Sequence, residues 1–149
     1  MTEMTDTPNS PIREAEAMLA SMAPELQDGS FVFCSTSDPS ASSTCDQLAI
    51  AKFVEAEGDS FILPLSEADR LGFDCSLPMR MITLTVNSAL DGFGLTAAVS
   101  SELAALGISC NMVAAYYHDY IFVPNDCGER ALEALMDLQQ HFKGLPAQR

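Results

Sequence analysis

Residues 81–125 constrain the fold most, because they read as strand, glycine-rich turn, helix, strand, hairpin and strand without a gap. Apolar residues first alternate with polar ones, which predicts a strand with one buried face. After the turn, apolar residues recur at helical spacing until Gly107, a residue type at which helices often stop. The segments 108–117 and 120–123 are β-branched and aromatic, and the His118-Asp119 pair between them predicts a hairpin.

A second helix is predicted from Asp126, whose side chain can cap the free amides while Glu129 reaches back as in a capping box. The resulting order is ferredoxin-like, an α+β fold in which helices cover one face of an antiparallel sheet. Its last strand is missing, because residues 143–149 are short, polar and broken by proline. Another segment must therefore cover that edge of the sheet.

The net charge narrows the choice of partners. Of the 149 residues, 21 are Asp or Glu and seven are Lys or Arg, which gives a net charge of −14. Each phosphate contact needs a basic side chain, so neither nucleic acid nor an anionic membrane surface is an expected partner. The chain shows no apolar run of about 20 residues and no basic leader before an apolar segment. These features predict a cytoplasmic protein.

The cysteines and histidines predict neither metal nor cofactor. Five cysteines without a C-x-x-C pattern favour reduced, mostly buried thiols over a disulfide framework or a zinc knuckle. His118 and His141, the only histidines, are too few and too far apart for a typical metal site. We expect His118 to lie in a turn and His141 in the last turn of a helix. These positions explain the two histidines better than metal binding does.

The N-terminal third of the chain carries weaker signals. Residues 1–10 lack periodicity, which predicts a frayed tail. Ser10 and Pro11 suit the start of a helix that ends before Pro24. Residues 31–34 then read as a short buried strand. The serine-rich segment 35–44 predicts a loop, for which a plain surface connection is favoured over a lid.

An internal repeat relates the two halves of the chain at an offset of sixty residues. It aligns three identical pairs, which are Asp59 with Asp119, Pro64 with Pro124 and Arg70 with Arg130. Hairpin, proline and helix follow in the same order in both copies, which predicts two related units at residues 11–76 and 77–143. Before its hairpin, the first copy has only a loop where the second has a full helix, so we expect the N-terminal helix to pack there. Residues 31–34 are expected to cover the open edge of the second sheet.

Residues 85–117 resemble the ACT domain, the small-ligand regulatory module of amino-acid metabolism. The marks of that domain are a strand, an Asp-x-x-Gly-Leu-like turn, a helix and a second strand with Asn near its start. The residues that fit are Asp91, Gly94, Leu95, Gly107 and Asn111. The whole chain resembles a stand-alone tandem of two such domains, similar to the CASTOR-type ACT proteins. It departs at Phe93, where proline often precedes the glycine, and its first copy lacks the turn motif.

The glycine-rich turn also predicts a ligand site on physical grounds. A helix N-terminus with unpaired amides suits a carboxylate, while Asp91 and Asn111 can accept hydrogen bonds from an ammonium group. The predicted ligand-binding residues, at the seam between two units, are Asp91, Gly92, Phe93, Gly94, Leu95 and Asn111. The alternative is purely structural: Asp91 caps the helix, the glycines permit the turn and Asn111 serves a neighbouring loop.

The resemblance implies a non-enzymatic regulatory domain that binds an amino acid or a related metabolite at an ACT–ACT interface. A ligand-free oligomerisation module and a small ferredoxin-like enzyme stay open as alternatives. Acylphosphatases share the topology, but their anion loop needs an arginine that no turn here supplies. A triad of Ser88 or Ser100 with His118 has no local motif, so no catalytic residue is predicted. Open sheet edges and the missing last strand predict a homodimer.

Overall fold

The computed structural model describes residues 14–144, so the predicted tail and the start of the N-terminal helix at Ser10 and Pro11 lie outside it. The helices are α1 (Ala15–Ala20), α2 (Pro39–Leu48), α3 (Leu65–Arg70), α4 (Leu95–Ala105) and α5 (Gly128–Lys143). The strands are β1 (Pro24–Leu26), β2 (Phe31–Thr36), β3 (Ala51–Glu55), β4 (Gly58–Pro64), β5 (Met79–Leu84), β6 (Asn111–Ala114) and β7 (Asp119–Pro124).

All seven strands form one antiparallel sheet in the order β3-β4-β2-β5-β7-β6, with β1 also paired to β5. The first ferredoxin-like unit uses β2, α2, β3, β4 and α3, and the second uses β5, α4, β6, β7 and α5. The predicted α+β fold of two related units is therefore confirmed. Aligned residues take equivalent places, since Asp59 and Asp119 lie at the starts of β4 and β7, which end at Pro64 and Pro124.

The strand that completes the second unit is β1, which pairs with β5 from Pro24 opposite Leu84 to Leu26 opposite Ile82. The prediction that residues 31–34 cover this edge holds only at Phe31, which lies opposite Met79 of β5, because β2 pairs along its whole length with β4. Helix α1 packs against α4 and α5 rather than against the first unit. The two halves are thus interleaved.

The segment predicted as a loop at residues 35–44 contains most of α2. Asp38 caps this helix by accepting a hydrogen bond from the Ser40 amide at 3.1 Å, and Pro39 occupies its first position. Its inward face uses the small side chains of Ser42 and Cys45, both buried. The first unit therefore has its own helix, and α1 is not needed there.

Two local predictions in the second unit also need correction. The tip of the β6–β7 hairpin is Tyr116-Tyr117, flanked by a hydrogen bond from the Ala115 amide to the His118 carbonyl at 3.0 Å. The capping box at Asp126 does not form, because residues 125–127 make a 3-10 turn and α5 starts at Gly128 without a side-chain cap. The predicted end of α4 is confirmed, since Gly107 takes a positive φ of 71°.

Within residues 14–144, helices cover one face of the sheet, and strands alone form the other. Under the helices, the core of the first unit centres on Phe61 and Leu63, and that of the second on Ile82 and Leu135. We call the opposite side the helix-free face, because its cluster consists of strand residues throughout the part described. Its buried members are Phe31, Ile62, Met79 and Phe122.

The five cysteines are free thiols, of which Cys45 is buried and the other four are partly buried. Burial raises the pKa of the Cys34 thiol to about 11, and the nearby Cys45 and Cys75 add to the shift. No group of three or more His, Cys, Asp or Glu side chains in the described residues is arranged to hold a metal ion. Within residues 14–144, every helix is too short or too polar to cross a membrane.

Candidate functional site

The connection between β5 and α4 ends in the glycine-rich turn that the sequence singled out. Gly94 is the N-cap of α4 with φ of 102°, and as a glycine it has no side chain with which to cap the helix. A Cβ atom at Gly94 would lie 2.6 Å from the Cβ of Ala15, at the start of α1. Glycine is therefore required both for the backbone conformation and for the close approach of α1. Gly94, and not Asp91, occupies the N-cap position.

A small cavity of about 90 Å³, here called the α4 cavity, opens in front of this turn. It borders the start of α4, whose first amides have no hydrogen-bond partner within the helix. These amides and the positive end of the helix dipole favour a negatively charged group. Residues that line the cavity include Ser88, Gly92, Gly94, Leu95, Thr96 and Asp119.

Asp119 brings a carboxylate to the α4 cavity. It begins β7, where it pairs with Ala114 of β6 and Leu84 of β5, and only 7% of it is exposed. Its Oδ2 accepts a hydrogen bond from the Ser88 hydroxyl at 2.7 Å. The cavity thus has an amide-rich wall suited to a carboxylate and a buried carboxylate suited to an ammonium group.

The predicted site residues separate into three groups in the structure. Gly92, Gly94 and Leu95 line the α4 cavity, whereas Asp91 and Phe93 belong to the same turn but are exposed and do not line it. Asn111 lies at the far end of β6, three residues or about 10 Å from Ala114. Its amide nitrogen is 3.9 Å from the sulfur of Met79, on the helix-free face.

Asp119 itself was absent from the predicted site, because the sequence pattern assigned it to a hairpin turn. The signal that could have found it is the repeat, which aligned it with Asp59. In the first unit Asp59 takes the corresponding place and accepts a hydrogen bond from the Ser42 hydroxyl at 2.5 Å. Both units thus have an aspartate at the start of the strand whose carboxylate accepts a hydrogen bond from a serine hydroxyl.

The corresponding cavity of the first unit has a different charge pattern. It measures about 430 Å³, and acidic residues dominate its ionisable side chains. These are Asp38, Asp46, Glu55, Glu57 and Asp59. Because Asp38 already caps α2 and these carboxylates repel an anion, this cavity suits a ligand carboxylate poorly. The second unit therefore offers the better site for a molecule with both charges.

Comparison with known proteins places both units in one family. The chain matches ACT-domain family models over residues 10–80 and 76–137. The matches overlap where β5 begins, the strand that adjoins both units. No functionally curated protein matches the chain at a significant level.

Solved structures of similar fold include a Vibrio cholerae protein of unknown function, described as a possible transport protein. It is 41% identical, with a TM-score of 0.74, over 84% of this chain and 95% of that one. The regulatory subunit of aspartate kinase from Thermus thermophilus has a TM-score of 0.55 at 10% identity, over 79% of this chain and 97% of that one. An Agrobacterium tumefaciens protein has a TM-score of 0.60 at 16% identity, over 78% and 87%. The chain belongs to the ACT-domain family and carries two ACT domains in tandem.

Proposed function

We propose that this protein is a non-enzymatic regulatory module that binds a small amino acid in the α4 cavity. One observation carries the proposal: the first amides of α4, which have no partner within the helix, and the buried carboxylate of Asp119 border the same cavity of about 90 Å³. ACT domains are typical of regulatory binding of small molecules, which agrees with this arrangement. A cytoplasmic location and the CASTOR-type grouping stay predictions from the sequence.

The charges of the cavity suggest how a ligand is oriented. The carboxylate meets the amides at the start of α4, near Leu95 and Thr96, and the ammonium group meets Asp119. The cavity is far below the roughly 300–1,000 Å³ of drug-sized sites, so only a short side chain fits. Glycine, alanine and serine are the expected ligands. Asp91 competes with Asp119 as the acceptor for the ammonium group. The exposed Phe93 can contact a partner, and Asn111 has no role in ligand binding within one chain.

The geometry around Ser88 favours this role over catalysis. The Ser88 hydroxyl donates directly to Asp119, so no imidazole lies between them. The Nδ1 atom of His118 lies 3.4 Å from the Val86 carbonyl oxygen. A serine nucleophile needs its hydroxyl proton to be accepted by a base that a third group orients. Here the three side chains do not form that relay.

Thermal denaturation with a panel of amino acids tests the proposed ligand class. We expect glycine, alanine or serine to raise the Tm, by a stabilisation of about 2.7 kcal/mol at a hundred times the Kd. Leucine and phenylalanine are expected to have no effect, because their side chains exceed the cavity. Methylamine and acetate, which each carry one half of the ligand's charges, serve as controls. Equal shifts with large and small amino acids, or none with any of them, would contradict the proposal.

A homodimer is part of the proposal. The missing last strand was one of the two reasons for expecting a dimer, and it no longer applies because β1 pairs with β5 in its place. The open edges remain a reason, since β3 and β6 form the two ends of the sheet's strand order in the described part of the chain. Unpaired strand edges favour association with a second copy. Light scattering at tens of micromolar is expected to give about twice the 16.0 kDa mass of one chain. A monomer at this concentration would argue against it, whereas a dimer that binds no amino acid would favour the ligand-free module.

A further inference from the structure

The helix-free face is concave. In a flat sheet β3 and β6, at opposite ends of the strand order, would lie about 24 Å apart at about 4.8 Å per strand. Ala51 of β3 and Val113 of β6 nevertheless line the same two adjoining cavities, of about 430 and 210 Å³. The sheet must therefore curl until its ends approach each other. Both cavities also share Ile62, so we treat them as one groove.

The groove has a buried apolar floor and exposed aromatic walls. Phe122 is 1% exposed, and its ring packs edge-on against Phe33 with 5.2 Å between the ring centroids. Phe53 on the outer strand β3 is 74% exposed. A volume of several hundred Å³ and a mainly apolar lining are typical of sites for organic small molecules. The groove lies on the opposite side of the sheet from the helices and the α4 cavity.

The charged side chains at one end of the groove indicate which charge a bound ligand would carry. Ser60 lines the groove, and its hydroxyl donates to the carboxylate of Glu55, an exposed residue that also lines the acidic cavity of the first unit. Lys52 also borders the groove, but its ammonium group is held by Asp46 at 2.7 Å and Asp59 at 3.8 Å. The Glu55 carboxylate, the neutralised Lys52 and the net charge of −14 together favour a positively charged ligand over a negatively charged one.

The shape of the groove argues against a second copy of this chain as the occupant. A two-fold contact places the same surface of both copies together, and two identical concave surfaces leave a void between them. A separate convex molecule fits the groove better than a second copy does. We propose that it binds an apolar amine, whose alkyl or aryl body lies between Phe33, Phe53 and Val113 while its ammonium group meets Glu55.

Fluorescence of the neutral probe N-phenyl-1-naphthylamine tests the apolar part of this site. The wild-type chain is expected to bind the probe saturably at one site per chain. Phe53→Ser should weaken probe binding about tenfold, because it removes an aromatic wall. Val54→Ser is the matched control, since Val54 is the next residue on the same strand, is 71% exposed and faces the opposite side. Equal loss in both variants, or no saturable binding by the wild type, would overturn the proposal.

Competition against the bound probe tests the charge. Hexylamine is expected to displace the probe at a lower concentration than hexanol, and hexanol at a lower concentration than hexanoate. Glu55→Gln should remove the advantage of hexylamine over hexanol while leaving displacement by hexanol unchanged. An unchanged advantage in that variant, or displacement by hexanoate first, would contradict the assignment of Glu55. Probe binding that disappears as the chain associates on concentration would instead show that a second copy covers the face.

Discussion

Replacing Gly94 by alanine is expected to lower the free energy of unfolding by about 3 kcal/mol. Two costs combine at this position. A φ of 102° is strained for any residue with a Cβ atom, and the new Cβ would lie 2.6 Å from the Cβ of Ala15. Urea denaturation measures the loss as a shift of the unfolding midpoint at unchanged slope.

A matched control and a second substitution separate these two costs. Gly107 has φ of 71° and open space around its Cα, so Gly107→Ala is expected to cost only about 1 kcal/mol of backbone strain. Ala15→Gly in the Gly94→Ala background removes the other clashing atom and should restore part of the stability. If Gly94→Ala costs no more than Gly107→Ala, or if Ala15→Gly restores nothing, the contact between α1 and the turn is not the reason for the glycine.

The second unit could be predicted from the sequence because its signals are long and locally consistent. The alternation from Ile82 to Val86 and the helical stripe from Leu95 to Leu106 each extend over enough residues to define a period. The internal repeat then predicted the hairpin of the first unit and the helix that follows it. Topology could be inferred from this order, since the ferredoxin-like arrangement follows from strands and helices in that sequence.

The elements that the sequence did not reveal are short or have unusual composition. A strand of three residues such as β1 is too short to show alternation, and it follows α1, which packs against α4 and α5 of the second unit. Helix α2 is serine-rich and buries Ser42 and Cys45 rather than large apolar side chains. The Asp38-Pro39 start signal was present, but the composition favoured a loop.

The candidate site depends on strand register, which the sequence does not specify. Along β6, Asn111 and Val113 share one face of the sheet, and Met112 and Ala114 share the other. Pairing of Asn111 with Phe122 places its side chain on the helix-free face, away from the glycine-rich turn. Pairing of Ala114 with Asp119 brings the aspartate to the α4 cavity instead. The resemblance to the ACT domain thus predicted the turn. The carboxylate of Asp119 opposite the turn follows only from the register of β6 and β7.

Asp119→Asn is expected to weaken binding of the tightest-binding small amino acid about 10- to 100-fold, because a hydrogen bond to a charged group contributes about 1.5–3 kcal/mol. The substitution keeps the shape of the side chain and an oxygen that can accept from Ser88. The fold should therefore persist, and circular dichroism and the Tm without ligand check that it does. Isothermal titration calorimetry measures the affinity of each variant for the amino acid that raises the wild-type Tm most.

Asp91→Asn is the matched control for this substitution, because it removes the same charge from the exposed turn beside the α4 cavity. If Asp119 is the ammonium acceptor, the control should change the affinity less than about threefold, a value in the range of exposed charge pairs. A large loss in Asp91→Asn with little in Asp119→Asn would make Asp91 the acceptor and leave Asp119 with a structural role beside Ser88. Unchanged affinity in both variants would place the amino acid elsewhere on the protein, because among the described residues Asp119 is the only carboxylate that lines the cavity.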